Sequence, residues 1–326
     1  SVLGNRGPRS RRRLYGMTTM TIHGELSLCW WMKATERPWH KPGTTGEMPK
    51  KRQRYKVKVG NRLCDAEKGE RLAATPNPDA YIPVAEGLKI AADIYGEKGP
   101  LVLLQHGGGQ TRHAWKSAGS QLAAAGYRAV SLDARGHGDS DWAPDGDYSN
   151  DALVADLVAV VEHFDQKPIL VGASMGGGTS LQAVGEGAIE ATALVLVDTA
   201  PRIEVSGVRK IRDFMAQAPE GFESLEDVAA AIGNYQPHRD RPRNLDGLAK
   251  NVRLWPDGRY RWHWDPQFMA RKRVLADRIP RQEAAARNVK CPSLLVRGGL
   301  SDVLSEEGAQ AYLDLVPHSK YTNVGQ

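Results

Sequence analysis

From about residue 80, apolar and polar positions alternate in a way that predicts short strands and helices in turn. The segment 83–96 has two apolar-rich runs around Glu86-Gly87, which predicts a hairpin. Short apolar runs then predict strands buried on both faces of a parallel sheet. They lie at residues 101–106, 127–133, 168–174, 192–200 and 292–299, and a last strand is predicted at 320–324.

Most of the segments between these predicted strands have the apolar periodicity of an amphipathic helix. After Asn150 or Asp151, either of which can cap a helix, apolar residues recur every three or four positions. Residues 117–126 and 304–316 also predict helices. Because strands alternate with helices, the sequence predicts an α/β fold with a mostly parallel sheet flanked by helices.

The residues between the fourth and fifth of these strands differ in character. Helices are predicted at 208–217, 224–232 and 245–255, before an aromatic run at 259–268. We interpret 201–285 as a helical cap inserted into a core made of 80–200 and 286–326. Most of the cap's aromatic residues are expected to pack it onto the core, with one or two lining a pocket: Trp255, Tyr260, Trp262, Trp264 and Phe268.

Charge separates the N-terminal part from the rest of the chain. Residues 1–70 hold 16 Lys or Arg against 6 Asp or Glu, a balance of +10, so within the total of +6 the remaining residues carry −4. We expect residues 1–79 to form a basic extension, poorly ordered or foreign to the native protein, and do not expect nucleic acid as a partner.

The cysteine content and the hydropathy exclude several classes of protein. Three cysteines are too few for a disulfide framework or a zinc cluster, and no apolar run has membrane-spanning length. We therefore expect a cytoplasmic protein with no membrane span, no metal and no cofactor.

The pentapeptide Gly172-Ala173-Ser174-Met175-Gly176 lies where a predicted strand meets a predicted helix. In a Gly-x-Ser-x-Gly turn the serine has positive φ, and small neighbours let strand and helix approach. The turn also aims the Met175 amide and the helix N-terminus at the point where an oxyanion would form. The glycine-rich run 106–109 follows another strand, so Gly108, with Gly107 or Gly109 as alternatives, can supply a second amide.

These motifs make residues 80–324 resemble an α/β-hydrolase of the serine esterase and cofactor-free haloperoxidase-like group. The resemblance rests on HGGG at 106–109, DARGHGDS at 133–140 and GASMGG at 172–177. It implies Ser174 as nucleophile, Gly108 and Met175 as oxyanion donors, and an acid after the strand at 292–299. Asp302 is the candidate acid, and Asp198 is the fallback.

The same resemblance implies a catalytic histidine just past the last strand, where this sequence reads Val324-Gly325-Gln326. We therefore expect that the histidine was lost with the C-terminal end and that this chain hydrolyses esters near background. His318 precedes that strand and is not expected to replace it. His106 and His137 are expected to shape loops, whereas His113 and His263 are candidates to line the pocket.

The sequence therefore predicts a hydrolase for a small carboxylic ester or related acyl compound. Perhydrolysis, lactone hydrolysis and carbon–carbon bond hydrolysis use the same machinery and stay open. The alternative is a non-catalytic ligand-binding protein on a hydrolase scaffold.

Overall fold

A computed structural model describes residues 54–59, 62–73, 75–235, 245–270 and 275–325. In these ranges the strands are β1 Arg54–Val59, β2 Arg62–Glu67, β3 Glu70–Arg71, β4 Ala80–Pro83, β5 Lys89–Tyr95, β6 Leu101–Gln105, β7 Arg128–Leu132, β8 Ile169–Ala173, β9 Ala193–Val197, β10 Val252–Leu254, β11 Tyr260–Trp262, β12 Ser293–Gly298 and β13 Lys320–Val324. The α-helices are α1 Lys116–Ala124, α2 Asn150–Phe164, α3 Met175–Gly185, α4 Val205–Met215, α5 Leu225–Tyr235, α6 Pro266–Ala270, α7 Leu275–Arg287 and α8 Glu306–Leu315.

The main sheet has eight strands in the order β13-β12-β9-β8-β6-β7-β5-β4. The pairs from β13 to β7 are parallel, and β5 and β4 are antiparallel additions at one edge. Helix α3 packs against β8 and β9, and α1 packs against β7. The prediction of a mostly parallel sheet flanked by helices is confirmed.

The sequence of strand β6 is apolar because both of its faces are buried. Leu101 and Leu103 belong to one buried cluster, which also contains Leu157 of α2. Val102 and Leu104 face a second cluster. Since successive side chains of a strand point to opposite faces, both faces of the sheet are buried at this position.

The insertion between β9 and β12 contains strands that the sequence did not predict. The predicted helix at 245–255 is a 3-10 turn at Leu245–Asn251, followed by β10. Strand β10 pairs with β11, which occupies part of the aromatic run. Valine, tyrosine and tryptophan, which are enriched in strands, occupy these positions and favour a strand over a helix.

The N-terminal boundary also differs from the prediction. Strand β3 pairs antiparallel with β10, so Glu70 and Arg71 join the small sheet of the insertion although the sequence placed them in the extension. Residues 1–53, 60–61 and 74 lie outside the described residues, and so does most of that predicted extension.

Helix α2 is capped by Ser149, one residue before the predicted caps, because its side chain accepts a hydrogen bond from Ala152 N.

Among the residues that the structure describes, no helix is both long enough and apolar enough to cross a bilayer.

A buried cluster of ion pairs connects β3, the region of the main sheet and β10. Asp139 lies 2.7–2.8 Å from the guanidinium groups of Arg71, Arg112 and Arg253, which come from β3, the core and β10. Arg112 also pairs with Asp133 at 2.6 Å. Since Arg112 and Arg253 are each only 1% exposed, their charges depend on these carboxylates for compensation.

We expect Asp139→Ala to be strongly destabilising, because it leaves buried guanidinium groups without their shared counter-charge. Breaking such a pair from one side costs about 3–5 kcal/mol in free energy of unfolding. Urea unfolding measures this loss. The control is Glu190→Ala, which breaks an exposed pair with Lys167 and should have little effect. Equal losses for the two variants would contradict the importance assigned to the cluster.

Candidate active site

Ser174 occupies a strained turn between β8 and α3. Its φ of 45° and ψ of −107° lie outside the regions that L-residues favour. The turn leaves no room for larger neighbours: a Cβ atom on Gly172 would lie 2.4 Å from the carbonyl carbon of Gly176, and one on Gly176 would lie 2.5 Å from the Cβ of Gln105. The glycines of the motif are therefore required by close backbone approach, as the sequence predicts.

The loop 106–109 follows β6 and lies beside this turn. A Cβ atom on Gly107 would be 3.3 Å from the Cβ of Ser174. Within the described part of the chain, the amides of Gly108 and Met175 make no hydrogen bond, and both residues line the cleft that contains Ser174. The structure thus brings Ser174, Gly108 and Met175 together, with two amides free to bind an oxyanion.

Two buried histidines, His137 and His263, form hydrogen bonds with the backbone of this loop. The amide of Gly109 donates to Nε2 of His137 at 3.1 Å, and Nε2 of His263 donates to the Gly109 carbonyl at 3.3 Å. Nδ1 of His263 accepts a hydrogen bond from Gly138 N at 2.8 Å. Because Gly109 N is engaged by His137, Gly108 is the better candidate for the second oxyanion donor.

His106 ties the same loop to the nucleophile turn. Its Nδ1 donates to the Gly107 carbonyl at 2.7 Å, and its Nε2 accepts from Ala134 N at 3.0 Å. The backbone carbonyl of His106 accepts from Gly176 N at 3.2 Å. Burial lowers the pKa of His106, which keeps the imidazole neutral. The side chain shapes the loop, as expected from the sequence.

The other histidines named in the sequence analysis lie away from Ser174. Nδ1 of His113 is 3.4 Å from a carboxylate oxygen of Asp93, and Nε2 of His318 donates to the Cys291 carbonyl at 3.0 Å. Neither His113 nor His263 lines the cleft, so their prediction as pocket residues is wrong. No histidine among the described residues is hydrogen-bonded to Ser174. His23, His40 and His238 lie outside the described residues.

The two candidate acids lie at the carboxyl ends of neighbouring strands, β9 and β12. Asp302 is half exposed, and its Oδ2 is 2.8 Å from Nζ of Lys210. Asp198 is buried and accepts hydrogen bonds from Gly298 N at 3.2 Å and from Ser301 Oγ at 2.8 Å. Burial raises the pKa of Asp198, although these hydrogen bonds oppose the shift. Neither acid lines the cleft, so the role of Asp302 stays a prediction.

The cleft around Ser174 encloses about 1110 Å³, including the part open to solvent. Its floor is the loop 107–110 with Ser174 and Met175, and its opposite wall comes from the insertion. Of the insertion's five predicted aromatic residues, only Phe268 lines it. Trp262 and Trp264 are buried and stack on each other with ring centres 5.1 Å apart.

Two arginines on the cleft wall were not identified from the sequence. Arg212 of α4 and Arg278 of α7 both contact the space above Ser174. No motif marks them, because their common position depends on how two helices distant in sequence fold over the sheet. No group of three or more His, Cys, Asp or Glu suited to hold a metal occurs among the described residues.

This combination of sheet, nucleophile turn and glycine-rich loop is that of the α/β hydrolases. The chain belongs to this family: the model of the alpha/beta hydrolase fold matches residues 100–324. The chain is 26% identical over 249 residues to esterase Rv0045c of Mycobacterium tuberculosis, a match that covers 74% of this chain and 80% of that protein.

Two further similar proteins match different shares of this chain. Probable protein phosphatase methylesterase 1 of Caenorhabditis elegans is 29% identical over 179 residues, which is 53% of this chain but only 49% of that protein. The crystal structure of E-2-(acetamidomethylene)succinate hydrolase superimposes with a TM-score of 0.66 at 22% identity and covers 76% of this chain and 90% of its own. At that identity the superposition shows the fold alone.

The buried histidines predict that acid destabilises the fold. The pKa of His263 lies well below its usual 6.5, chiefly because burial disfavours the charged ring. Below pH 6.5 the unfolded chain binds a proton at this position that the folded chain does not. The free energy of unfolding should therefore fall as pH drops below 6.5, by up to about 1.4 kcal/mol per pH unit for each such histidine.

Urea unfolding at pH 7.5 and 5.5 measures this dependence. His263→Asn retains an acceptor for Gly138 N but removes the titrating ring, so its stability should depend less on pH. His163→Asn, at an exposed position of α2, serves as the control and should behave as the wild type does. An unchanged pH dependence in His263→Asn would contradict the assignment.

Proposed function

We propose that this protein is a serine hydrolase that cleaves small carboxylic esters or related acyl compounds through an acyl-enzyme on Ser174. The observation that carries the proposal is the positive-φ turn of Ser174 beside two unbonded amides in one cleft. The class of activity also agrees with the relatives, which are named esterase and methylesterase.

In this mechanism Ser174 Oγ attacks the ester carbonyl and the carbonyl oxygen becomes an oxyanion. The amides of Gly108 and Met175 would bind that oxygen, and the N-terminus of α3 would stabilise its charge. Collapse of the tetrahedral species expels the alcohol and leaves an acyl group on Ser174, which water then hydrolyses. Perhydrolysis, lactone opening and carbon–carbon hydrolysis remain compatible with these steps.

A serine needs a general base to be nucleophilic at neutral pH. Of the described histidines, His106, His137 and His263 use both ring nitrogens to hold backbone groups. We therefore assign the base to none of them. Asp302 is proposed as the acid that orients the base, because its carboxylate follows β12, is half exposed and pairs with the exposed Lys210.

We also propose that residues 201–285 act as a cap over a core of 80–200 and 286–326. The support is the cleft itself, whose walls are Gly108 and Ser174 on one side and α4, α5 and α6 residues on the other. The cap would then determine which acyl groups reach Ser174.

The second candidate function is a ligand-binding protein on a hydrolase scaffold. One observation favours it: no described histidine is hydrogen-bonded to Ser174. The two proposals differ in the reactivity of Ser174 and not in the shape of the cleft, so a serine-directed probe separates them.

The hydrolase proposal predicts that a fluorophosphonate probe labels Ser174 and that p-nitrophenyl acetate is hydrolysed above background, in contrast to the near-background turnover expected from the sequence alone. Ser174→Ala should abolish this labelling and this turnover, because both need the serine hydroxyl. Mass spectrometry of the labelled peptide identifies the residue. The control is Ser117→Ala, a serine of α1 outside the cleft. A wild-type chain that binds esters without labelling would favour the ligand-binding proposal.

The identity of the acid is tested by two matched variants. If Asp302 orients the base, Asp302→Asn should lower kcat by about ten-thousandfold, the cost of removing the carboxylate from such a triad. Asp198→Asn should act through the Gly298–Ser301 turn that it supports, and lower stability more than turnover. The reverse pattern would transfer the role to Asp198.

A further inference from the structure

The cleft of Ser174 contains two cationic side chains, Arg212 and Arg278. Nη2 of Arg212 donates to the Met269 carbonyl at 3.4 Å. Among the described residues, no carboxylate lies within 4 Å of the guanidinium group of Arg212 or of Arg278. Both groups line the same space as the nucleophile.

Three buried arginines of the described fold are paired. Arg135 lies 2.6 Å from Asp156, Arg112 lies 2.6 Å from Asp133, and Arg253 lies 2.7 Å from Asp139. These pairs illustrate how the fold compensates a guanidinium group that is removed from water. The cleft thus shields positive charge for which the described residues supply no acid.

The position of Arg278 brings its charge close to the reacting centre. A Cβ atom on Gly178 would lie 2.7 Å from Nη2 of Arg278, so the guanidinium group lies against α3 where only glycine leaves room. Gly178 is four residues past Ser174, which is roughly 6 Å along a helix axis. A ligand with its carbonyl at Ser174 therefore needs only a short spacer to reach Arg278.

Desolvation makes this arrangement unfavourable for the protein alone. Burial lowers the pKa of Arg278, and no acid among the described residues opposes the shift. An anion that enters the cleft supplies the missing charge and the missing acceptors, so its binding is favoured there more than at an exposed arginine.

The remaining wall defines what lies between the charges and the ester. Ile211, Phe214 and Met269 are apolar and line the same cleft. We propose, on the basis of the proposed function, that the substrate is an ester that carries a carboxylate on a short apolar spacer, with the carboxylate bound by Arg278 and Arg212 and the ester carbonyl at Ser174.

The test compares charged esters with neutral esters of the same shape. The monomethyl esters of succinate, glutarate and adipate carry the carboxylate on the acyl side, and methyl 4-oxopentanoate is the neutral counterpart of the first. We expect the wild type to have the higher kcat/KM for at least one monoester. Arg278→Met should lower that value by about ten- to a hundredfold, the effect of losing hydrogen bonds to a charged group, and should leave the neutral ester unchanged.

Matched variants separate charge recognition from folding. Arg281→Met is the control, since Arg281 is on the same helix but pairs at the surface with Glu186 and Asp151. Arg212→Met should weaken the monoesters in the same direction as Arg278→Met. Gly178→Ala keeps the charge but displaces Nη2, and should also weaken the monoesters selectively. Because Arg278→Met removes an uncompensated charge, its melting temperature should equal or exceed that of the wild type.

A binding measurement keeps this proposal distinct from the proposed function. Titration calorimetry of Ser174→Ala with glutarate should detect binding that the added Arg278→Met substitution abolishes. Such binding without any ester turnover by the wild type would support the anion site and overturn the hydrolase. Turnover of neutral esters without glutarate binding, or an equal loss for charged and neutral esters in Arg278→Met, would overturn the anion site and leave the hydrolase in place.

Discussion

The close backbone approach of β8, α3 and β6 at Ser174 is the constraint on which the rest of the site depends. Gly172 and Gly176 allow the strand and helix to meet at distances that any side chain would prevent. This approach forces Ser174 into its positive φ, since the chain must reverse within a single residue. The same turn leaves the Met175 amide at the start of α3 without a helical partner, so the strain at Ser174 and the proposed oxyanion site have one structural cause.

The loop opposite this turn is fixed partly by its own bond from Gly107 N to the Gln110 side chain and partly by its surroundings. Gly109 is held by His137 and His263, and the latter comes from the residues between β9 and β12. The ion cluster at Asp139 joins the insertion to the core a few residues away, through Arg253. The placement of Gly108 relative to Ser174 therefore depends on contacts with the residues between β9 and β12, which support the loop as well as lining the cleft.

The sequence predicted those parts of the structure that local patterns determine. The continuous apolar run of β6 and the small residues around Ser174 are local requirements, and both appear in the structure as predicted. Strand β10 was missed although β11, its antiparallel partner, follows it after a short turn; only its second partner, β3, is distant in sequence. The surroundings of Asp302 and Asp198 could not be predicted either, since an ion pair with Lys210 and a hydrogen bond from Ser301 depend on tertiary contacts.

The positions of Arg212 and Arg278, on which the proposed substrate specificity depends, could not be predicted from the sequence either. In a sequence, an arginine in an amphipathic helix is most simply interpreted as an exposed residue, and nothing local separates Arg278 from Arg281 on the same helix. The difference is that Arg281 has two carboxylate partners, whereas Arg278 has none among the described residues. Charge that is paired at Arg112, Arg135 and Arg253 but left uncompensated beside Ser174 costs stability there, which a bound anion would restore. Substrate charge is therefore better inferred from the interactions that a cleft lacks than from the residues that line it.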